Sequence, residues 1–281
     1  MIPFDYITEW RARAAWIEDI QVEQDLVITR ALTEIFNAEE AARNLAFRGG
    51  TALYKLHIAP AARYSEDIDL VQTVAGPIGG TLSAIRGVLD PWLGIPKRMR
   101  GEGRVTLMYR MASEGSSPLP MRLKIEINSR EHFSVFGYEE RTLDVSSRWY
   151  SGSARVRTYA LDELLGTKLR ALYQRKRGRD LFDLWYAGER ANVNADRVVE
   201  CLRRYLEHDG VRLSRAEFEA NLHEKLEDPT FGKDVEPLLA PAVSWDIEAA
   251  ARYAFRELAP RLPGDPWKGI GMKRRNEKSS L

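Results

Sequence analysis

Two stretches of this chain alternate so strictly that they fix its first half around a sheet with one polar face. In Asp67-Ile68-Asp69-Leu70 successive side chains point to opposite sides, so Asp67 and Asp69 share a face while Ile68 and Leu70 pack behind it. In Arg122-Leu123-Lys124-Ile125-Glu126-Ile127-Asn128 the same period gives Lys124, Glu126 and Asn128 one face and the three aliphatics the core. Two carboxylates about 7 Å apart on a rigid face suit divalent cations such as Mg²⁺, which take hard oxygen ligands and share them with phosphates. Glu126 on a neighbouring strand would complete such a site, or accept a proton from an attacking hydroxyl. Taken singly, each segment is also what a sheet with one solvated face looks like.

The surroundings of the acidic pair favour chemistry. Leu45-Ala46-Phe47 is a short apolar run that ends at Arg48-Gly49-Gly50-Thr51, a strand followed by a tight turn into a short helix over 51–59. Glycines there let backbone N–H groups approach a triphosphate, and the Thr51 hydroxyl is placed to donate to a phosphate oxygen. An ordinary turn with an N-cap has the same sequence. Gly79-Gly80-Thr81 repeats the tripeptide without an apolar strand before it or an acidic pair behind it, and reads as a loop.

The periodicity predicts helices over 20–43 and 79–90, strands over 67–72, 104–111 and 121–128, and further β pieces across 133–159. From about 160 the texture turns helical, over 161–176, 180–190, 195–208, 214–226 and 245–258. The expected organisation is a mixed α+β (α/β) domain with an N-terminal helix over 1–155, a helical domain over 156–270, and a disordered basic tail over 271–281.

In the helix over 161–176, Lys168 falls inside the stripe formed by Leu161, Leu164, Leu165, Leu169 and Leu172. Either the stripe opens onto a cleft and the ammonium grips phosphate, or the lysine snorkels to solvent. Asp180 and Asp183 follow, one turn apart; both suit a helix first turn, and Asp180 is also placed to position Lys168 or a nucleotide. Trp185 and Tyr186 read as core rather than as a base-stacking platform. Basic runs stand at 97–110 and 168–179 in a chain whose formal charge is only +1, which suggests local contact with a polyanion rather than a uniformly basic coat.

Composition removes other classes. At 44% hydrophobic the chain is too apolar for disorder, and a single cysteine, Cys201, makes no internal disulfide and favours a reducing, cytoplasmic setting. No apolar run is long enough for a membrane span, and the first residues do not resemble a signal peptide. The four histidines lack metal-ligand spacing, and neither a Walker sequence nor a Gly-x-Ser-x-Gly elbow is present.

Phe47-Arg48-Gly49-Gly50-Thr51-Ala52-Leu53, Arg63-Tyr64-Ser65-Glu66-Asp67-Ile68-Asp69-Leu70, Lys168 and Gly178-Arg179-Asp180-Leu181-Phe182-Asp183-Leu184 together resemble the AbiEii/AbiGii toxin family of the polymerase β-like nucleotidyltransferase superfamily, over roughly residues 45–190. The resemblance implies a nucleotidyltransferase core with a mixed sheet, a helical C-terminal domain, and a toxin with a separately encoded antitoxin. It also implies transfer of a nucleotide from an NTP to RNA, notably the tRNA 3′ end. By motif match Gly49, Gly50 and Thr51 contact the triphosphate, Asp67 and Asp69 hold Mg²⁺, Lys55 and Lys168 bind phosphates, and Asp180 supports the site. Glu126 fits the third carboxylate, and Ser65, beside the acids, is a position open to modification. Sixteen residues separate Gly50 from Asp67, more than is usual in the superfamily.

The sequence leaves the acceptor open. Protein nucleotidylation or phosphotransfer would use the same residues, and a non-catalytic nucleic-acid-binding module would use the helices and basic runs without the acids. The NTP preferred, the tRNA chosen, the oligomeric state, the antitoxin and any modification of Ser65 are not legible.

Overall fold

The computed structural model describes residues 2–14, 16–114 and 118–269; the expected basic tail, 271–281, lies outside them. The chain divides into two compact units, Met1–Leu164 with Leu238–Ser244, and Leu165–Pro237 with Trp245–Leu281.

The first unit begins with α1 (Phe4–Trp10) and α2 (Asp19–Asn37). The single helix expected over 20–43 is broken at Ala38, whose ψ of 109° is extended, and α3 (Glu39–Asn44) follows. Asn37 turns its amide to the Ser153 carbonyl at 3.0 Å. Glu39 and Glu40 then open a new first turn, where acidic side chains are favoured. Next come β1 (Leu45–Arg48), α4 (Gly49–Ala52) running into a π turn over Leu53–His57, β2 (Asp67–Gln72) and α5 (Gly79–Leu93). Four more elements, β3 (Lys97–Gly101), β4 (Arg104–Ala112), β5 (Pro120–Asn128) and β6 (Tyr138–Ser146), lead to β7 (Ser151–Tyr159).

The strands form one mixed sheet in the order β3-β4-β5-β2-β1-β7-β6. β1 pairs antiparallel with β2, setting Arg48 opposite Asp69, and β2 pairs parallel with β5, setting Asp67 opposite Lys124 and Asp69 opposite Glu126. The opposite face buries Phe47, Ile68, Leu70, Leu123, Ile125 and Ile127 in one cluster with Leu26 and Ile28 of α2 and Ile85 and Leu89 of α5. Each fully buried aliphatic contributes about 2 kcal/mol, so the alternation read from the sequence is what holds the acids on the polar side.

Three local expectations are corrected. Gly79-Gly80-Thr81 is not a loop but the first turn of α5, with Thr81 buried and its hydroxyl accepting from the Asn44 amide at 3.1 Å. α5 also passes Pro91 and ends at Leu93, because a proline in the last turn removes a single backbone hydrogen bond. β3 was not expected: all five of its residues are exposed and it carries Lys97, Arg98 and Arg100, so no burial pattern marks it. It is an edge strand paired with β4, where charge guards against further pairing.

The helices of the second unit are the end of α6 (Leu161–Gln174), α7 (Gly178–Arg190), α8 (Ala195–His208), α9 (Arg215–Leu226) and α10 (Ile247–Tyr253), which continues as a π turn over Ala254–Leu258. Asn194 and Asp246 accept first-turn N–H groups, and Ser214 with Glu217 forms a capping box. α6 stops at Gln174 where Lys225 donates to the carbonyls of Leu172 and Tyr173, and to Asn221. Phe182 stacks on Tyr186 at 5.5 Å and meets Trp185 and Trp245 edge-on, so Phe182 and Tyr186 are core and Trp185 is half-buried beside them.

Candidate active site

The turn after β1 and the start of β2 meet despite the sixteen residues between them. Gly49 has φ of +84°, and a Cβ built on it would lie 2.3 Å from Asp69 Oδ2. Both the backbone conformation and the close approach demand glycine. A Cβ on Gly50 would lie 2.7 Å from Arg63 Nη2 and 3.1 Å from Ser65 Oγ. Thr51 Oγ1 is 2.5 Å from the Asp67 carbonyl and 2.9 Å from Ser65 Oγ. A hydroxyl has one hydrogen, so Thr51 donates to the carbonyl and accepts from Ser65. The Thr51 side chain, expected to donate to phosphate, instead ties the turn to β2.

Asp69 is half-buried, and its carboxyl is raised above the ordinary value first by desolvation and then by the charge of Asp67, against the opposing pull of Arg48 and Lys124. Arg48 is itself paired with Glu131. Lys124 Nζ stands 3.3 Å from Asp67 Oδ2 and 3.2 Å from Glu126 Oε2. Burial alone would lower this ammonium; Asp67 and Glu126 outweigh it and raise its pKa. Among the described residues no group of three or more His, Cys, Asp or Glu side chains is assembled to hold a metal ion. The third-carboxylate reading of Glu126 is therefore not met as a ready ligand set: a lysine stands between it and Asp67. Asp67 and Asp69 still fit Mg²⁺, since they are hard oxygen donors on one face and a cation would relieve the charge that Asp67 places on Asp69.

Beside the turn lies a cavity of about 220 Å³, lined in part by Thr51, Lys55, Arg63 and Ser65 with Trp16 and Tyr54. Lys55, expected to bind phosphate, donates to Asp25 Oδ1 at 2.7 Å and to Thr29 Oγ1 at 2.8 Å. Asp25 is held in turn by the indole N–H groups of Trp10 and Trp16. Arg63 is almost wholly buried, donates to the Tyr64 carbonyl, and lies over the Tyr54 ring. It sits on an extended strap fixed by a bridge to Leu239 and by hydrogen bonds from Tyr64 to Leu238 and from Ala240 to Ala62. Arg63 stands in the sequence motif without a role of its own. Its signal was the period of two carried backwards, since 63, 65, 67 and 69 share one parity.

In the second unit Lys168 neither snorkels nor faces open solvent. Its ammonium is buried at 2.9 Å from Asp183 Oδ2 and 3.4 Å from Asp180 Oδ1. Arg175 makes two further hydrogen bonds to Asp180. Burial would raise the Asp180 carboxyl, but Lys168 and Arg175 hold it below its ordinary value. Asp183, read as a first-turn acid, belongs to this cluster as fully as Asp180. The basic run over 168–179 is thus largely spent internally, since Arg170 pairs with Asp209 and Lys176 with Asp228.

Comparison with known proteins gives the family and the fold. The family model described as "Nucleotidyl transferase AbiEii toxin, Type IV TA system" matches residues 30–253. No curated protein sequence matches significantly. Among solved structures, MenT4, a nucleotidyltransferase toxin from Mycobacterium tuberculosis H37Rv, is similar with a TM-score of 0.66 at 16% identity, covering 94% of this chain and 91% of that one. JHP933 from Helicobacter pylori gives a TM-score of 0.47 at 20% identity, covering 85% and 90%. With four fifths of a long motif-bearing chain inside one family model, the non-catalytic alternative is set aside: the chain belongs to the AbiEii nucleotidyltransferase toxin family of type IV toxin–antitoxin systems.

Proposed function

We propose that the protein transfers an NMP from an NTP to an RNA acceptor, the 3′ end of tRNA, and so blocks translation. The observation that carries the site assignment is the contact of the Gly49 turn with the Asp69 carboxylate, which sets a backbone turn and an acidic pair in one place. Asp67 and Asp69 would hold Mg²⁺, which supplies charge neutralisation for the attacking and leaving oxygens of an in-line displacement. The turn at Gly49 and Gly50 receives the triphosphate through its backbone, and Arg63 and Lys55 line the neighbouring cavity where the departing pyrophosphate carries its charge. Glu126 is assigned the proton of the attacking hydroxyl. For Lys168 and Asp180 the motif match alone carries the phosphate-binding and supporting roles, since the ammonium is buried between Asp180 and Asp183. MenT4 is itself described as a nucleotidyltransferase toxin, and family membership implies a separate antitoxin for this chain.

The RNA backbone is assigned to the β3–β4 hairpin, whose Lys97, Arg98 and Arg100 are exposed. Binding that rests on such contacts weakens steeply with salt. No described helix is long and apolar enough to cross a membrane.

The acceptor is tested by incubating the full chain with total tRNA, Mg²⁺ and each α-labelled NTP, using tRNA with an intact or a periodate-oxidised 3′ diol. Label on intact tRNA only supports the proposal. Label on protein transfers the same chemistry to another acceptor, and in a parallel incubation with γ-labelled NTP, label on the acceptor makes the enzyme a phosphotransferase.

A further inference from the structure

The acidic face carries a cation of its own. Lys124 is the cross-strand neighbour of Asp67 and stands two residues before Glu126 on β5, so all three side chains leave the sheet on one side. Its ammonium lies within 3.3 Å of both carboxylates. It takes up the lone pairs a divalent ion would need, and Mg²⁺ requires its oxygens at about 2.0–2.1 Å in strict geometry. Two cations so close repel strongly. We propose that Lys124 is a resident counter-ion of the site: a divalent ion must displace its ammonium from Asp67 and Glu126, and the lysine thereby sets how tightly the ion is held.

The inference rests on the reading of Asp67 and Asp69 as metal ligands. Its physical basis is charge. Asp67, Asp69 and Glu126 would bring three negative charges to one face, and Lys124 offsets one of them before any ion arrives. The side chains of Lys124, Asp67 and Glu126 are each about a third exposed, and the four-carbon stem lets the ammonium swing aside without moving the strand. Arg48, by contrast, is the cross-strand neighbour of Asp69 and is paired with Glu131. A purely structural tie makes the opposite prediction, because its loss would loosen the carboxylates and weaken ion binding.

The test is Mn²⁺ binding to the full chain, by electron paramagnetic resonance of the free ion, for wild type, Lys124→Met and Asp69→Asn. The expected result is that Lys124→Met binds Mn²⁺ at least tenfold more tightly than wild type while Asp69→Asn loses the site. Equal or weaker binding by Lys124→Met, with Asp69→Asn still deficient, overturns the counter-ion role alone. Mn²⁺ binding that ignores Asp69→Asn overturns the metal-site reading and the inference with it. A second readout needs no variant: acetylation of Lys124 in the wild-type protein, followed by mass spectrometry, is expected to speed up severalfold at saturating Mn²⁺ relative to exposed Lys97. An unchanged relative rate contradicts displacement.

Discussion

Replacing Lys168 by Met tests how the second unit is built. The substitution keeps the length of the side chain and removes one buried charge. Lys168 is 2.9 Å from Asp183 and 3.4 Å from Asp180, and both aspartate side chains are fully buried. At an effective dielectric near 20 each contact is an attraction of roughly 5 kcal/mol, much of it offset by the cost of burying the charges. Breaking one partner out of a buried ionic cluster costs about 3–5 kcal/mol. Arg175 stays on Asp180, so the loss falls at the lower end, about 3 kcal/mol. Urea unfolding followed by tryptophan fluorescence reads it, with Trp185 and Trp245 packed near Phe182 as reporters. The double variant Lys168→Met/Asp183→Asn should regain at least half of the loss, because the carboxylate left behind is then neutral. A single variant within about 0.5 kcal/mol of wild type, the range of ordinary surface substitutions, would refute the buried-cluster reasoning and return Lys168 to a purely catalytic role.

Other perturbations follow from the same geometry. Gly49→Ala places a methyl 2.3 Å from Asp69 Oδ2 at a φ of +84°; about 1–2 kcal/mol of backbone strain and loss of transfer are expected, read by thermal unfolding and NTP labelling. Gly50→Ala meets the ends of two side chains, Arg63 Nη2 at 2.7 Å and Ser65 Oγ at 3.1 Å, so it should keep its fold and raise the KM for NTP. The Asp180 carboxyl is held low, so its contribution to stability is present above its unfolded value near 3.9 and is lost as pH falls through the lower folded value; acid unfolding of Asp180→Asn should show a shallower pH dependence than wild type. Glu23 has the opposite sign. Burial raises it to about 7, so stability falls as pH rises from near 4.5 through 7, and Glu23→Gln should be neutral at pH 5 and stabilising at pH 8 in urea titrations.

The elements that were legible are those whose apolar residues repeat with a clear period. β2, β5 and the five late helices announce themselves because one face of each is buried. β3 did not, because an edge strand exposed on all its residues has no face to bury. The break at Ala38 was hidden for the opposite reason, since α2 is so enclosed that Glu23, Gln24 and Asp25 are buried with the aliphatics. Within the site, Asp67, Asp69 and the Gly-Gly turn were readable because their spacing is local. What each side chain actually holds was not. That Thr51 binds Asp67, that Lys55 binds Asp25 and that Lys124 sits between two acids depends on pairings across 16 to 57 positions of chain. No period encodes such pairings.

The central claim is that Asp67 and Asp69, set against the Gly49 turn, are the catalytic centre of NMP transfer. The direct measurement is the initial rate of α-labelled NTP incorporation into total tRNA by wild type, Asp67→Asn and Asp69→Asn, with folding checked by circular dichroism. The account predicts a fall of at least 1,000-fold in each variant, about 4 kcal/mol of lost transition-state stabilisation, with the fold retained. Folded variants that transfer within tenfold of the wild-type rate would contradict it.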